Sequence, residues 1–264
     1  MNRILRKMSP EVVNSANEKN LNELCILLAQ KSHRNLVAEK DIDWVMTRPS
    51  VWPNHIFNAR FRKTNAEDRI QQIKNKIEGN EAPPLWVIGP KSRPVELGRF
   101  LEKNGFRKLV RWPGMAVDLS GVNENHTKPT DLSVQPIQDI DHLNQWGEVV
   151  SKSMFGGKEF DIHLLRNLCF EPYAKIYLGL FHGKGVATSM LFLSSGVAGI
   201  YLVSVLPEYR NRGIGKTITL APLSDALRMG YFIGVLQASD MGQKIYRKIG
   251  FQEYGGFDLY RYVP

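Results

Sequence analysis

The segment from Ala198 to Met229 constrains this chain more than any other. Ala198–Leu206 is an apolar run rich in β-branched residues and reads as a buried strand, which Pro207 ends. Arg210, Gly213 and Gly215 then form a basic glycine turn. Ile218, Leu220, Leu223 and Leu227 put helical spacing on Lys216–Met229. Strand, glycine turn and helix in this order make an anion site. Glycine lets backbone N–H groups approach a phosphate, and the helix start adds free donors and the positive end of its dipole. The expected ligand carries phosphates.

Three phosphate patterns compete for this turn. The pattern G-x-x-x-x-G-K-[ST] matches Gly215-Lys216-Thr217 but needs a glycine where Arg210 stands. The dinucleotide pattern G-x-G-x-x-G starts at Gly213 and fails at Ile218. Arg210-x-x-Gly213-x-Gly215 after Val203-x-Val205 fits. It resembles the pyrophosphate loop of the GNAT superfamily of acetyl-CoA-dependent N-acyltransferases. A surface turn with chance glycines is the competing reading, and a second motif at the expected distance weighs against it.

That motif is Val235–Phe251. A short strand, Phe232–Leu236, leads to a polar cap at Ser239 or Asp240, where Asp240 and Gln243 make a capping-box pair. A helix to Ile249 follows, with Gly250 in the closing position. Ile245-Tyr246-x-x-x-Gly250-Phe251 resembles the fourth helix and next strand of a GNAT domain. In that family this tyrosine often protonates the departing CoA thiolate. A core tyrosine of an amphipathic helix is the plainer alternative for Tyr246.

Length and composition bound the rest. A chain of 264 residues is too long for one such domain and fits about two. Its 43% hydrophobic and 23% charged residues are those of an ordinary globular protein. No apolar run reaches membrane-span length, and Met1–Pro10 lacks the apolar core of a signal peptide, so a cytoplasmic location is expected. Cys25, Cys169 and scattered histidines show no metal-ligand spacing, and no metal is expected. The formal charge of +9 is spread along the chain rather than run in blocks. It reads as a solvated basic surface that steers an anionic cofactor, with nucleic acid disfavoured as a partner.

The N-terminal half carries an echo. Leu85–Ile88 reads as a strand, and Val95–Phe106 as a short helix ending in Gly105-Phe106. Setting this pair on Gly250-Phe251 places Leu101 on Tyr246. Asn65–Glu78 has helix spacing in the place of the Lys216 helix, and Gly114–Leu119 reads as a closing strand. The expected fold class is α+β: tandem GNAT-like domains, each a mixed, mostly antiparallel sheet flanked by helices. Residues 1–120 form a degenerate GNAT-like domain, 121–130 a polar linker and 131–264 the catalytic domain. Met1–Lys7 is expected to be loosely held.

The resemblance implies a mechanism. Acetyl-CoA as cosubstrate would be held by Arg210, Asn211, Arg212, Gly213, Ile214, Gly215, Lys216 and Thr217, with Ser239 beyond. Leu202, Val203 and Val205 would offer backbone hydrogen bonds to the acetyl and pantetheine arms. Tyr246 would be the general acid. The acceptor is a primary amine on a small molecule or peptide, attacking directly in a ternary complex, and a homodimer is compatible with the resemblance. Many family members place a glutamate on the strand before the loop, but Gly199–Val205 has none. Tyr201, Ser204 and Glu208 are its nearest polar groups, and no base is assigned. Trp44, Trp52, His55 and Phe57 either line an acceptor pocket or form the N-terminal core, the second being the commoner fate of large aromatics. Two rival readings keep the fold: a non-catalytic acyl-CoA sensor, and a tandem transferase with a longer acyl donor.

Overall fold

The computed structural model describes residues 3–123, 127–169 and 171–264. Glu124, Asn125 and His126, the middle of the expected linker, lie outside the described residues, as do Met1, Asn2 and Phe170. The first element is one the sequence reading did not anticipate, α1 (Pro10–Lys31), capped by Ser9 with Pro10 in its first turn. β1 (Asn35–Ala38), β2 (Asp43–Met46) and β3 (Asn54–Phe57) form an antiparallel meander. Then come α2 (Ala66–Glu78), β4 (Leu85–Ile88), α3 (Leu97–Lys103) and β5 (Phe106–Asp118). The C-terminal half runs β6 (Leu132–Pro136), α4 (Ile140–Met154), α5 (His163–Arg166), β7 (Ala174–Phe181), β8 (Lys184–Ser194) and β9 (Val197–Val205). It ends with α6 (Ile214–Arg228), β10 (Ile233–Gln237), α7 (Asp240–Ile249) and β11 (Gln252–Tyr262).

All eleven strands form one sheet, in the order β1-β2-β3-β4-β11-β5-β10-β9-β8-β7-β6. The two segments that echo each other in sequence have the same order of elements in the structure. β4–α3–β5 and β10–α7–β11 are the same unit, each helix followed by a glycine in the left-handed region, Gly105 at φ 87° and Gly250 at φ 116°. The closing strands are exchanged between halves: β5 pairs with β10, and β11 pairs with β4. Of Gly114–Leu119, expected to close the N-terminal half, Gly114–Asp118 belongs to a longer strand whose C-terminal end closes the other half, and Leu119 begins a 3₁₀ turn.

α1 lies along one face of the sheet and touches strands from both halves. Leu24, Cys25, Leu28 and Ala29 are fully buried there, with Trp146 of α4 in the same core. Each buried leucine is worth ~1.5–3 kcal/mol. The sheet bends around α1 far enough for Val51, in the β2–β3 loop, to donate to the Glu159 carbonyl at 3.1 Å. The opposite face holds two further cores, one under α2 and α3 around Trp44, Ile70 and Trp86, the other under α6 and α7 around Ile218, Leu223 and Tyr246. The first described residues are not loose as expected, because Leu5 N–H donates to the Gly196 carbonyl at 3.0 Å and Arg6 lies 4.1 Å from the Phe232 ring.

Candidate active site

β9 and β10 run parallel and pair only at Ala198–Gly234 and Gly199–Val235. Beyond Gly199 they part, leaving the β10-facing edge of Ile200–Val205 open as a notch. On its other edge β9 stays paired with β8, with an irregularity that sets Leu202 and Val203 opposite Ser189. Leu202 takes φ 49° there, and its carbonyl accepts from Thr188 Oγ1 at 2.8 Å. Of the two backbone groups Leu202 was expected to offer, its carbonyl is therefore engaged inside the protein. Val203 and Val205 are half-buried along the open edge.

The glycine turn follows the open edge directly. A 3₁₀ turn over Pro207–Tyr209 redirects the chain, and Arg210 Nε donates back to the Val205 carbonyl at 3.1 Å. Asn211 and Gly213 both take positive φ, 62° and 78°. Gly213 is the N-cap of α6, and no side chain caps that helix start. A capless start leaves the first N–H groups, from Ile214 and Gly215, without an intrahelical acceptor. Lys216 and Thr217 N–H bond the Gly213 carbonyl at 3.1 and 3.2 Å, and the Thr217 hydroxyl bonds it at 3.3 Å. A Cβ on Gly213 would have only Pro129 near it, at 3.8 Å, so the left-handed φ rather than crowding requires glycine. Arg212 sits over the Tyr209 and Phe181 rings, 5.5 and 5.9 Å from their centroids.

α7 closes the other side. Ser239, not Asp240, is its cap, its Oγ accepting from Gly242 N–H at 3.2 Å. Gln243 still reaches Asp240 Oδ1, at 3.3 Å. α7 packs on the start of α6, where a Cβ on Gly215 would lie 3.0 Å from Ile245. Tyr246 shares a core with Ile214, Leu206 and Ala238, and its ring is 5.7 Å from that of Phe251. Among the described residues its hydroxyl has no hydrogen-bond partner. Burial pushes the phenol well above its usual range, so it keeps its proton at neutral pH. Glu208 is exposed in the turn, as a solvated residue would be.

In the N-terminal half β3 and β4 also pair at a single point, Ile56–Trp86, and the chain itself lies along the edge that follows β3. The segment after β4 then folds back through one isolated bridge, Arg60–Arg93: Arg93 N–H donates to the Ala59 carbonyl at 2.9 Å, and Phe61 N–H to the Arg93 carbonyl at 3.1 Å. Trp44, His55 and Phe57 are core residues, with Trp44 under α2 and the other two facing α1. Trp52 is only partly buried against the α1 core.

Sequence reasoning missed the α1 side of the notch. Tyr201 donates to Asn20 Oδ1 and Gln237 Nε2 to Asn17 Oδ1, both at 2.6 Å. An asparagine at every third place, Asn14, Asn17 and Asn20, was the available signal. Two open clefts of about 410 and 480 Å³ lie elsewhere, along α1 near Lys19 and Lys91 and at its end near Arg34 and Arg166, and neither includes the glycine turn. Among the described residues no helix could cross a membrane, and no group of three His, Cys, Asp or Glu could hold a metal.

No family model and no curated protein matches the sequence. Solved structures do match. A GCN5-related N-acetyltransferase from Kribbella flavida is 16% identical with a TM-score of 0.71, over 92% of this chain and 95% of that one. One from Sphaerobacter thermophilus is also 16% identical, with a TM-score of 0.64 over 97% and 94%. A tandem GNAT protein from the clavulanic acid biosynthesis pathway is 11% identical, with a TM-score of 0.58 over 92% and 94%. The chain has the GCN5-related N-acetyltransferase fold.

Proposed function

We propose that the chain is an N-acetyltransferase that uses acetyl-CoA and moves the acetyl group to a primary amine in a ternary complex. The observation that carries this is the continuity of the open β9 edge, the Gly213 turn and the uncapped start of α6. A parted strand offers backbone groups to the acyl and pantetheine arms, and the helix start that follows offers N–H groups to a pyrophosphate. Arg210 through Thr217 would hold the cofactor, with the Val203–Val205 edge and Ser239 flanking its arms. A backbone N–H of β9 would polarise the thioester carbonyl as charge develops on its oxygen. The amine would attack that carbon and the C–S bond would break; Tyr246 would give its proton to the thiolate, and the proton shed by the acylated nitrogen would return to the phenol through water.

The test pairs binding with turnover. Acetyl-CoA should raise the melting temperature of the wild type by binding only the folded form. Gly213→Val should remove that shift, because valine cannot hold the left-handed φ that presents the turn's N–H groups. CoA release with an amine present completes the assignment. Equal cofactor shifts in wild type and variant would refute the loop's role, and binding without any transfer would favour the sensor.

A further inference from the structure

The acceptor side of the notch is written in what faces α1. Past Gly199 and Val235, where the strands part, the next side chains on that face are Tyr201 and Gln237, both bonded to α1. Their partners are themselves fixed. Asn17 Nδ2 donates to the Leu236 carbonyl at 3.2 Å, and Asn20 Nδ2 to those of Phe192 and Ser194 at 3.3 and 3.0 Å. Three amides and a phenol floor the notch, and none carries charge. Cys25, further along α1, is buried 3.8 Å from His55 Nε2. Burial raises the Cys25 thiol and the Tyr201 phenol and lowers His55 to about 4, so all three are neutral at physiological pH.

Both carboxylates of this stretch of α1 are hydrogen-bonded, and of the two only Glu23 acts electrostatically on Tyr201. Glu18 accepts from Lys91 N–H at 2.5 Å on the N-terminal half, and Glu23 accepts from the Ser195 hydroxyl at 2.8 Å at the β8–β9 turn. Two half-buried indoles, Trp52 and Trp112, pack on the core that contains Tyr201, Leu202 and Phe257. Trp112 stands two residues before Gly114, the partner of Gln237, so it flanks the notch on the β10 side.

We propose that the acceptor is an amine that enters uncharged on an aromatic ring, an arylamine of low basicity. This rests on the acyl-transfer reading. The reaction balances as amine plus acetyl-CoA giving the N-acetyl amine plus CoA thiol: the N–C bond forms, the C–S bond breaks, and the proton lost by nitrogen is matched by one gained on sulfur. An alkylamine with a lysine-like pKa near 10.4 is neutral in only about one molecule per thousand at pH 7.5. A notch whose described floor is amides and a phenol offers no free carboxylate to take its proton and would carry that ~10³-fold handicap. Indole faces can hold an ammonium by cation–π attraction, but a held ammonium has no lone pair to attack with. An arylamine brings its lone pair free and a flat ring for the Trp112 indole.

The experiment measures CoA release at pH 7.5 by the full chain with para-substituted anilines and, separately, with putrescine and a lysine peptide. Aniline kcat/KM should exceed the alkylamine values at least tenfold. Gln237→Glu, which places a carboxylate at the notch, should narrow that ratio by raising the alkylamine rates. Wild-type preference for alkylamines would overturn the proposal. So would no turnover of either class by protein that still gains melting temperature with acetyl-CoA, and that result leaves the cofactor assignment standing. A chain with no acetyl-CoA shift fails the functional reading itself. If Gln237→Glu does not fold, the wild-type comparison decides alone.

Discussion

Trp112 on β5 lies opposite Phe257 on β11, and this pair relates the chain to itself. Each residue stands seven places after the glycine that closes its helix, Gly105 or Gly250. On either side, Phe106 pairs with Tyr262 and Ala116 with Gln252. A pseudo-two-fold axis therefore passes through the middle of the sheet, where each half lends its last strand to the other. The two halves are continuous in sequence and interleaved in space.

This interleaving predicts how the chain divides. A fragment ending at Gly121 leaves β4 and β5 without β11 between them, so their facing edges are unpaired. The fragment alone should be unfolded by circular dichroism and elute as an expanded or aggregated species. Co-expressed with residues 127–264, it should co-purify and show the full chain's melting behaviour. A soluble, cooperatively melting 1–121 fragment would show that the exchange is dispensable.

Under the acetyl-CoA proposal, the occupied edge after β3 predicts a single cofactor site. Ala59, Phe61 and Arg93 spend on each other the backbone groups that an extended arm would need. Isothermal titration of acetyl-CoA should give one site per chain, and Gly213→Val should abolish all of the heat. A second site surviving in that variant would place cofactor in the N-terminal half.

The sequence exposed this architecture unevenly, for physical reasons. The Gly213 turn and the Gly250 closure were readable because left-handed backbone selects glycine so strongly. The strand exchange was not, because β5 and β11 look the same whichever β4-like neighbour they join; only the pairing of β5 with β10 and of β11 with β4 distinguishes the outcomes. α1 stayed hidden because Asn14, Asn17, Glu18 and Asn20 interrupt its apolar face, and asparagine is a poor helix former. The three asparagines meet strand carbonyls, Asn14 reaching that of Tyr254 at 3.0 Å, and Glu18 accepts from Lys91 N–H. The interruption that hid the helix is what builds the floor of the candidate site.

His55 should make the protein acid-sensitive. Burial lowers its pKa from 6.5 to about 4 in the folded state. Between those values the unfolded chain binds a proton that the folded chain does not, so stability falls as pH drops through this window and is level above it. The full shift corresponds to roughly 3 kcal/mol. Glu18, whose pKa burial raises, acts in the opposite sense, so the comparison must be made against a variant. Urea midpoints of wild type and His55→Gln from pH 7.5 to 4.5 should converge as pH falls, since the variant lacks this proton. Parallel curves would show that His55 titrates as it does in the unfolded chain.

Tyr246 offers the sharpest separation of chemistry from packing. Its ring is held in the core beside Phe251, its hydroxyl is bonded to no described residue, and in the proposed reaction that hydroxyl would protonate the leaving thiolate. Tyr246→Phe keeps the ring and removes one oxygen. General acid catalysis is worth ~10²–10⁴-fold, so kcat should fall within that range while KM for acetyl-CoA stays nearly unchanged. Because the hydroxyl has no protein hydrogen bond to lose, stability should change by less than about 1 kcal/mol, in either direction. A tyrosine present only for packing gives the opposite pattern: kcat intact at saturating substrate. Steady-state kinetics and thermal melts on the same two proteins distinguish the cases. An unaltered kcat would remove Tyr246 from the chemistry and leave water to protonate the thiolate.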